Sequence, residues 1–284
     1  METGLLVFQS DFGRFDGAVS AMHGVAATVD PSLRLYEITH QIPQYHIWEA
    51  SYRLLQTIQY WPPRTVFVSV VDPGVGSERR SVVVETVQGH LIVTPDNGTL
   101  THLKKKGLLK TARLLNAEEN RLPNSSESHT FHGRDIYAYT GARLAANAIT
   151  FEQVGTPVEL NSIMELPTKD PTIANGQLIG MIDSIDRPFG NLWTNIDSSL
   201  FKQLVEQYGE TVHVTISSNG RTIYENPLVF GRSFADLRIG EALVYINSLH
   251  NVGIAINQGS FASAYQIGIG TDWTVTMSGI QSPV

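Results

Sequence analysis

Four short segments of this sequence carry residue types that do chemistry. In SDFGRFDG two carboxylates, Asp11 and Asp16, follow the apolar run Leu5-Leu6-Val7-Phe8. A buried strand that ends in a polar turn has this pattern. The Asp-Phe-Gly letters also occur in protein kinases, where they hold magnesium after a Gly-rich loop, a strand lysine and a catalytic HRD segment. Only ten residues precede Asp11 here, so a kinase is excluded by position. In VVDPGVGSERR, Asp72 stands at a strand end, and Arg79 and Arg80 follow across a Gly- and Pro-rich turn. An acid and a guanidinium at that spacing either form a pair that orients a polar nucleophile or are an ordinary Asp-Pro-Gly turn with exposed arginines. The glycines lack the Gly-Lys-Ser/Thr of a phosphate-binding loop and the third glycine of a dinucleotide fingerprint.

The third segment, HTFHGRDIYA, places His129 and His132 in a turn that leads into a helix, with Asp135 close behind. A His-x-x-His pair without a third ligand at helical spacing is a weak metal signal. The alternative for His132 is a turn-capping or hydrogen-bonded imidazole. The fourth, DSIDRPFGNLWTNID, gathers Asp186, Phe189, Asn191, Trp193 and Asn195 around a Pro-Phe-Gly turn. A carboxylate, an aromatic face and an amide suit an amino group and a heterocycle; a polar barrel loop has the same composition.

The elements that must position these residues follow from periodicity. Leu5–Phe8, Leu33–Ile38 and Thr65–Val71 read as strands, separated by helical spacing over Gly17–Val29 and His46–Tyr60. That alternation predicts an α/β domain with a largely parallel sheet, whose functional loops lie at the strands' carboxyl ends. Two further strands flank Gln88-Gly89, and a helix is expected over Arg134–Ile149. The Pro-rich, apolar-poor ELPTKDPTIANG marks a boundary, giving domains 1–168 and 169–284. Beyond it QLIGMIDSI, HVTISS-NG-RTIYE, ALVYIN and VGIAIN read as short strands, the second around an Asn-Gly turn, which predicts a smaller antiparallel β-barrel domain.

The totals narrow the function classes. With 284 residues and no cysteine, disulfides and thiolate zinc sites are excluded, and a reducing, cytoplasmic setting is expected. The net charge is −7, and only Lys104-Lys105-Lys106, read as a solvated helix end, is locally basic, so nucleic acid is not expected as a partner. No signal peptide or membrane-length apolar run is present, so no membrane association is expected.

In order and spacing, SDFGRFDG, VVDPGVGSERR, TPDNG, TFHGRD and IDRPFGNLWTNI resemble the family of S-adenosyl-L-methionine (SAM) hydrolases that form adenosine and methionine, also called SAM hydroxide adenosyltransferases. Fluorinase and chlorinase are their relatives. The resemblance spans nearly the whole chain. It implies an N-terminal α/β domain, a C-terminal barrel, and a homotrimer whose sites lie between one subunit's N-domain and its neighbour's C-domain. It further implies hydrolysis of SAM, with no cofactor and no metal, by a water that Asp72, Arg79 and His132 hold, Arg80 being the competing arginine. Asp11 would take the ribose hydroxyls. Asp16 and Asp186 would meet the methionine ammonium, with Ser248 near the carboxylate. Phe189, Phe234, Asn191 and the Asn257–Ser260 turn would hold the adenine. Tyr45 stands where the halogenases carry Trp, Gly133 where fluorinase carries Ser, and Leu249 where an arginine is expected. A halogenase and a SAM- or adenosine-binding protein without turnover are the alternatives.

Overall fold

Alternating apolar residues of the first half become strands buried on both faces of one sheet. The computed structural model describes residues 4–279, and the chain divides into two units, Met1–Leu166 and Pro167–Val284. In the first unit the strands are β1 (Leu5–Ser10), β2 (Arg34–Thr39), β3 (Val66–Val70), β4 (Ser81–Thr86), β5 (Leu91–Pro95), β6 (Leu109–Leu115) and β7 (Gly155–Val158). Their order is β2-β1-β3-β5-β4-β6-β7. The β1–β2, β1–β3 and β3–β5 pairs are parallel and the remaining three are antiparallel, so five of the seven strands run in one direction.

The period of two along β1 decides which helices cover which face. Leu6 and Phe8 pack with Met22 and Ala26 of α1 (Ala18–Val29) and with Ile136, Tyr137 and Ala142. Val7, between them, packs on the other face with Leu54 of α2 (Ile47–Thr57) and with Leu100 and Leu103 around α3 (Thr101–Lys105). A sheet covered on both sides leaves its strand ends as the place for polar groups.

Two local expectations need correction. The helix expected over 134–149 is a π-helical turn, Gly133–Ala138, running into the shorter α4 (Tyr139–Ala145). Lys104 is not a solvated helix end: its ammonium pairs with Glu165 at 2.7 Å and donates to the Ile163 carbonyl at 2.8 Å.

The second unit is built from β8 (Thr172–Ala174), β9 (Gln177–Asp186), β10 (Asn191–Asp197), β11 (Thr211–Ser218), β12 (Arg221–Phe230), β13 (Ala242–Ile246), β14 (Asn251–Ile256) and β15 (Gly270–Gly279). The order β10-β14-β13-β12-β11-β15-β9 closes on itself through the β10–β9 pair, making a seven-stranded barrel with β8 appended to β9. All pairings are antiparallel except a short parallel β12–β13 contact. Closure removes sheet edges, and alternate residues such as Val212, Val214 and Ile216 fill the interior. Asn219 and Gly220 carry φ of 49° and 78°, the left-handed pair a two-residue hairpin turn requires. β15, which the sequence reading did not anticipate, joins β9 to β11 and completes the ring. Among the described residues no helix is long and apolar enough to cross a membrane.

Candidate active site

In the first unit the polar residues gather at the carboxyl ends of β1 and β3. Asp72 lies two residues past β3, and the Asn97 amide donates to the neighbouring Val71 carbonyl at 2.8 Å, fixing the strand end. The turn from Pro73 to Glu78 returns Arg79 to Asp72. Arg79 Nε donates to Asp72 Oδ1 at 2.6 Å, and its Nη2 pairs with Oδ2. The remaining arm, Nη1, donates to Ser81 Oγ at 3.0 Å, and Ser81 Oγ is 2.9 Å from the buried Tyr137 hydroxyl. The guanidinium also lies over the Tyr137 ring, 5.6 Å from its centroid. Burial raises the Tyr137 phenol well above its usual range, so it stays neutral. A guanidinium fixed on three sides is a rigid support for one carboxylate. Arg80 is engaged elsewhere, with Asp96 and the Ser162 carbonyl.

His132 stands at the N-terminus of the π-helical turn, makes no side-chain capping bond, and is buried. Burial, and then the charges of Arg79 and Arg121, hold its imidazole below the ordinary value of 6.5, against a smaller opposing pull from Asp72. Arg121 Nη2 approaches His132 Nε2 to 3.5 Å. A guanidinium has no lone pair to offer, so Nε2 accepts and the proton of the neutral ring sits on Nδ1. That Nδ1 is buried and has no partner within the protein. Arg121 was missed by sequence reasoning; it lies in a polar loop, and nothing in its spacing connects it to His132. His129 and His132 stack edge to face at 6.3 Å, and the one three-ligand cluster among the described residues includes neither.

Asp11 follows β1. Its Oδ2 accepts from the backbone N–H of Tyr45 at 2.8 Å, while burial, with a smaller contribution from Asp72, raises its carboxyl above the usual value. Tyr45 reaches it with φ of 66°, its own side chain exposed. Asp16 Oδ1 accepts from Ala18 N at 2.9 Å and starts α1. A cleft of about 570 Å³ opens beside these residues, lined by Phe12, Asp16, Gly17, Ala18, Thr130 and Phe131 among others. The Phe12 and Phe131 rings meet edge to face at 5.7 Å. A Cβ on Gly133 would lie 3.0 Å from the Phe12 ring, so glycine is what permits this approach.

In the second unit, Asp186 and Asn191 pair across the β9–β10 hairpin, and the Asn191 amide is 3.4 Å from Asp186 Oδ2. Phe189 projects from that turn and is exposed. Gly190, at φ 70°, leaves no room for a Cβ, which would strike Ser260 Oγ. The Gly190 carbonyl accepts from Ala262 N at 2.9 Å, joining the hairpin to the segment that starts at Ser260. Asn257 is buried and donates to the Leu237 carbonyl at 2.9 Å, beside the turn that carries Phe234. Phe234 is exposed and packs on Tyr245, centroids 5.0 Å apart. Asp186, Phe189, Asn191, Asn257 and Ser260 therefore cluster at one barrel end, with Phe234 nearby. Ser248 does not join them: it lies in an exposed turn at the opposite end of β14, roughly 20 Å from Asn257 at the rise of an extended strand. Leu249, beside it, donates its backbone N–H to the Asn247 side chain at 2.9 Å.

Comparison with known proteins supplies the class. Residues 6–155 match the model of the SAM hydroxide adenosyltransferase N-terminal domain and residues 180–274 that of its C-terminal domain. The chain belongs to the SAM hydroxide adenosyltransferase family. It is 35% identical to the (R)-S-adenosyl-L-methionine hydrolase of Methanocaldococcus jannaschii over 75% of this chain and 73% of that protein. It is also 29% identical to the fluorinase of Nocardia brasiliensis, over 94% of each chain. The crystal structure of an uncharacterized conserved protein from Thermotoga maritima superposes with a TM-score of 0.86 at 30% identity, over 96% of this chain and 99% of that one.

Proposed function

We propose that this protein hydrolyses S-adenosyl-L-methionine to adenosine and L-methionine by displacement at the ribose C5′. The observation that carries the reading is the carboxylate of Asp72, held on both oxygens by Arg79 and acting electrostatically on the buried His132. Methionine leaves a sulfonium as a neutral thioether, so no general acid and no cofactor is required. What remains is to align a water and draw off its proton.

In the tautomer set by Arg121, His132 Nδ1–H is a donor, so it fixes the water oxygen and Asp72 receives the proton. The water loses one hydrogen to Asp72 as its oxygen bonds to C5′. The C5′–sulfur bond breaks with its electron pair on sulfur, and the proton passes to solvent. Asp11 takes the ribose hydroxyls, since two carboxylate oxygens accept two donors at once. Asp16 and Asp186 meet the methionine ammonium; Phe189, Phe234, Asn191, Asn257 and Ser260 take the adenine. Ser248 near the methionine carboxylate is the least supported assignment, because it stands apart from the other barrel residues.

Because the ribose and nucleophile groups lie in one unit and the adenine groups in the other, we propose a homotrimer that joins one subunit's N-terminal unit to a neighbour's C-terminal unit. The lack of cysteine supports a cytoplasmic setting. Light scattering tests the assembly: a fully active monomer overturns it.

The fluorinase relative supports a second reading, with halide as the nucleophile. A halide must shed tightly bound water and would meet the negative Asp72, whose arginine is already neutralised by that same carboxylate. Water is neutral and donates to Asp72. Incubation with SAM in isotopically labelled water and molar chloride should give adenosine labelled at the C5′ oxygen. 5′-Chloro-5′-deoxyadenosine as the main product, or unlabelled adenosine, would overturn hydrolysis. No product at all would favour the non-catalytic binder.

A further inference from the structure

A second cluster of nitrogen and oxygen ligands lies behind β1, among residues the proposed reaction does not use. His23 of α1 and His40, one residue past β2, both direct Nε2 toward Glu37 Oε1 of β2, at 3.5 and 3.6 Å. The three ligand atoms lie within 4.8 Å of one another. Both Nε2 atoms are buried and have no hydrogen-bond partner, and His40 is only 1% exposed. Buried polar atoms in a native fold are normally satisfied, so two nitrogens left without a hydrogen bond beside one carboxylate leave room for a partner that all three groups can bind.

We infer that His23, Glu37 and His40 form a binding site for a borderline divalent cation of the zinc type, a structural ion independent of the reaction proposed above. Two imidazoles and one carboxylate suit zinc, cobalt or nickel; magnesium and calcium prefer all-oxygen sites. His40 Nδ1 is 2.7 Å from Ser10 Oγ, and the His23 ring packs on Phe8 with centroids 5.2 Å apart. Such outer contacts hold imidazoles in their ligating orientation.

Arg14 now occupies Glu37 in an ion pair, but its side chain is 60% exposed and free to swing into solvent. The incoming ion replaces one positive charge with two on the same carboxylate. Because His40 also accepts Gly13 N on its carbonyl at 2.7 Å, the ion would tie α1 and β2 to the loop that carries Asp11.

The test uses the full chain stripped with a chelator, then titrated with zinc by calorimetry and with cobalt by visible absorption. One ion per chain is expected, with a rise in melting temperature on zinc addition. His23→Ala and Glu37→Gln should each weaken binding by about tenfold or more, with folding checked by circular dichroism. Arg14→Ala, a surface change, should tighten it by removing the competing cation. Absence of saturable binding overturns the site. So does unchanged affinity in both ligand variants, or loss of binding in His129→Ala instead, or an Arg14→Ala protein that binds no better than the parent.

Discussion

Arg79 and Asp72 meet through two arms of one guanidinium, while the adjacent Arg80 turns to Asp96 and the Ser162 carbonyl. Two neighbouring arginines are thus committed to different carboxylates. Arg79→Ala and Asp72→Asn should cut adenosine formation by roughly 10²- to 10⁴-fold, with less effect on SAM affinity. Arg79→Lys should not restore it, since an ammonium cannot span both oxygens. Arg80→Ala should lower the melting temperature and leave turnover close to the parent. Chromatography of adenosine beside a thermal melt reads both; the reverse pattern would move the role to Arg80.

Asp11 accepts a backbone N–H from Tyr45 and keeps lone pairs for a ligand. Hydrogen bonds to a charged group contribute about 1.5 to 3 kcal/mol each. Asp11→Ala should therefore lose adenosine affinity by calorimetry, far more than turnover at saturating SAM. Because burial raises the Asp11 carboxyl, affinity should also begin to fall at a pH above that of an ordinary aspartate. Unchanged affinity would assign the carboxylate to the turn alone.

The buried, neutral His132 sets a pH dependence. Its imidazole is held below 6.5, so turnover should persist through that pH and decline only at lower values, where protonation of Nε2 sets it against the Arg121 guanidinium and displaces the ring that orients the water. Arg121→Ala removes a positive charge, which raises the His132 value and moves the acid limb of the pH–rate profile upward. An acid limb that stays in place would exclude Arg121 as a positioning residue.

Stability should carry the same signature from His23, His40, His90 and His132, all lowered chiefly by burial. Between their folded values and 6.5 the unfolded chain binds more protons, so stability rises with pH across that window. Melting temperature should accordingly fall as pH drops from 6.5 toward the folded values of these imidazoles. A flat melt profile there would show that none of these imidazoles is kept neutral by the fold.

Gly133 admits the Phe12 ring, and a Cβ there would press on it at 3.0 Å. Gly133→Ser should displace Phe12, raise KM for SAM and give no halogenated product in molar chloride, because Asp72 still repels the anion. Appearance of 5′-chloro-5′-deoxyadenosine would show that the serine, and not the carboxylate, selects the nucleophile.

Local pattern alone determined the order of strands and helices through β5, the change to a barrel after residue 168, and the segments that hold Asp11, Asp72, His132 and Asp186. Those features depend on side-chain period and on turn residues a few positions apart, which a sequence displays directly. Only the tertiary structure decided which arginine faces Asp72, which nitrogen of His132 carries its proton, and that Ser248 stands at the far end of β14. It also closed the barrel through β15 and drew Lys104 into a pair with Glu165. The same is true of His23, Glu37 and His40, which lie on a helix, a strand and a loop and share no spacing rule. Each of these outcomes rests on contacts between elements distant in the chain, where charge pairing and burial act, and periodicity carries no record of such contacts.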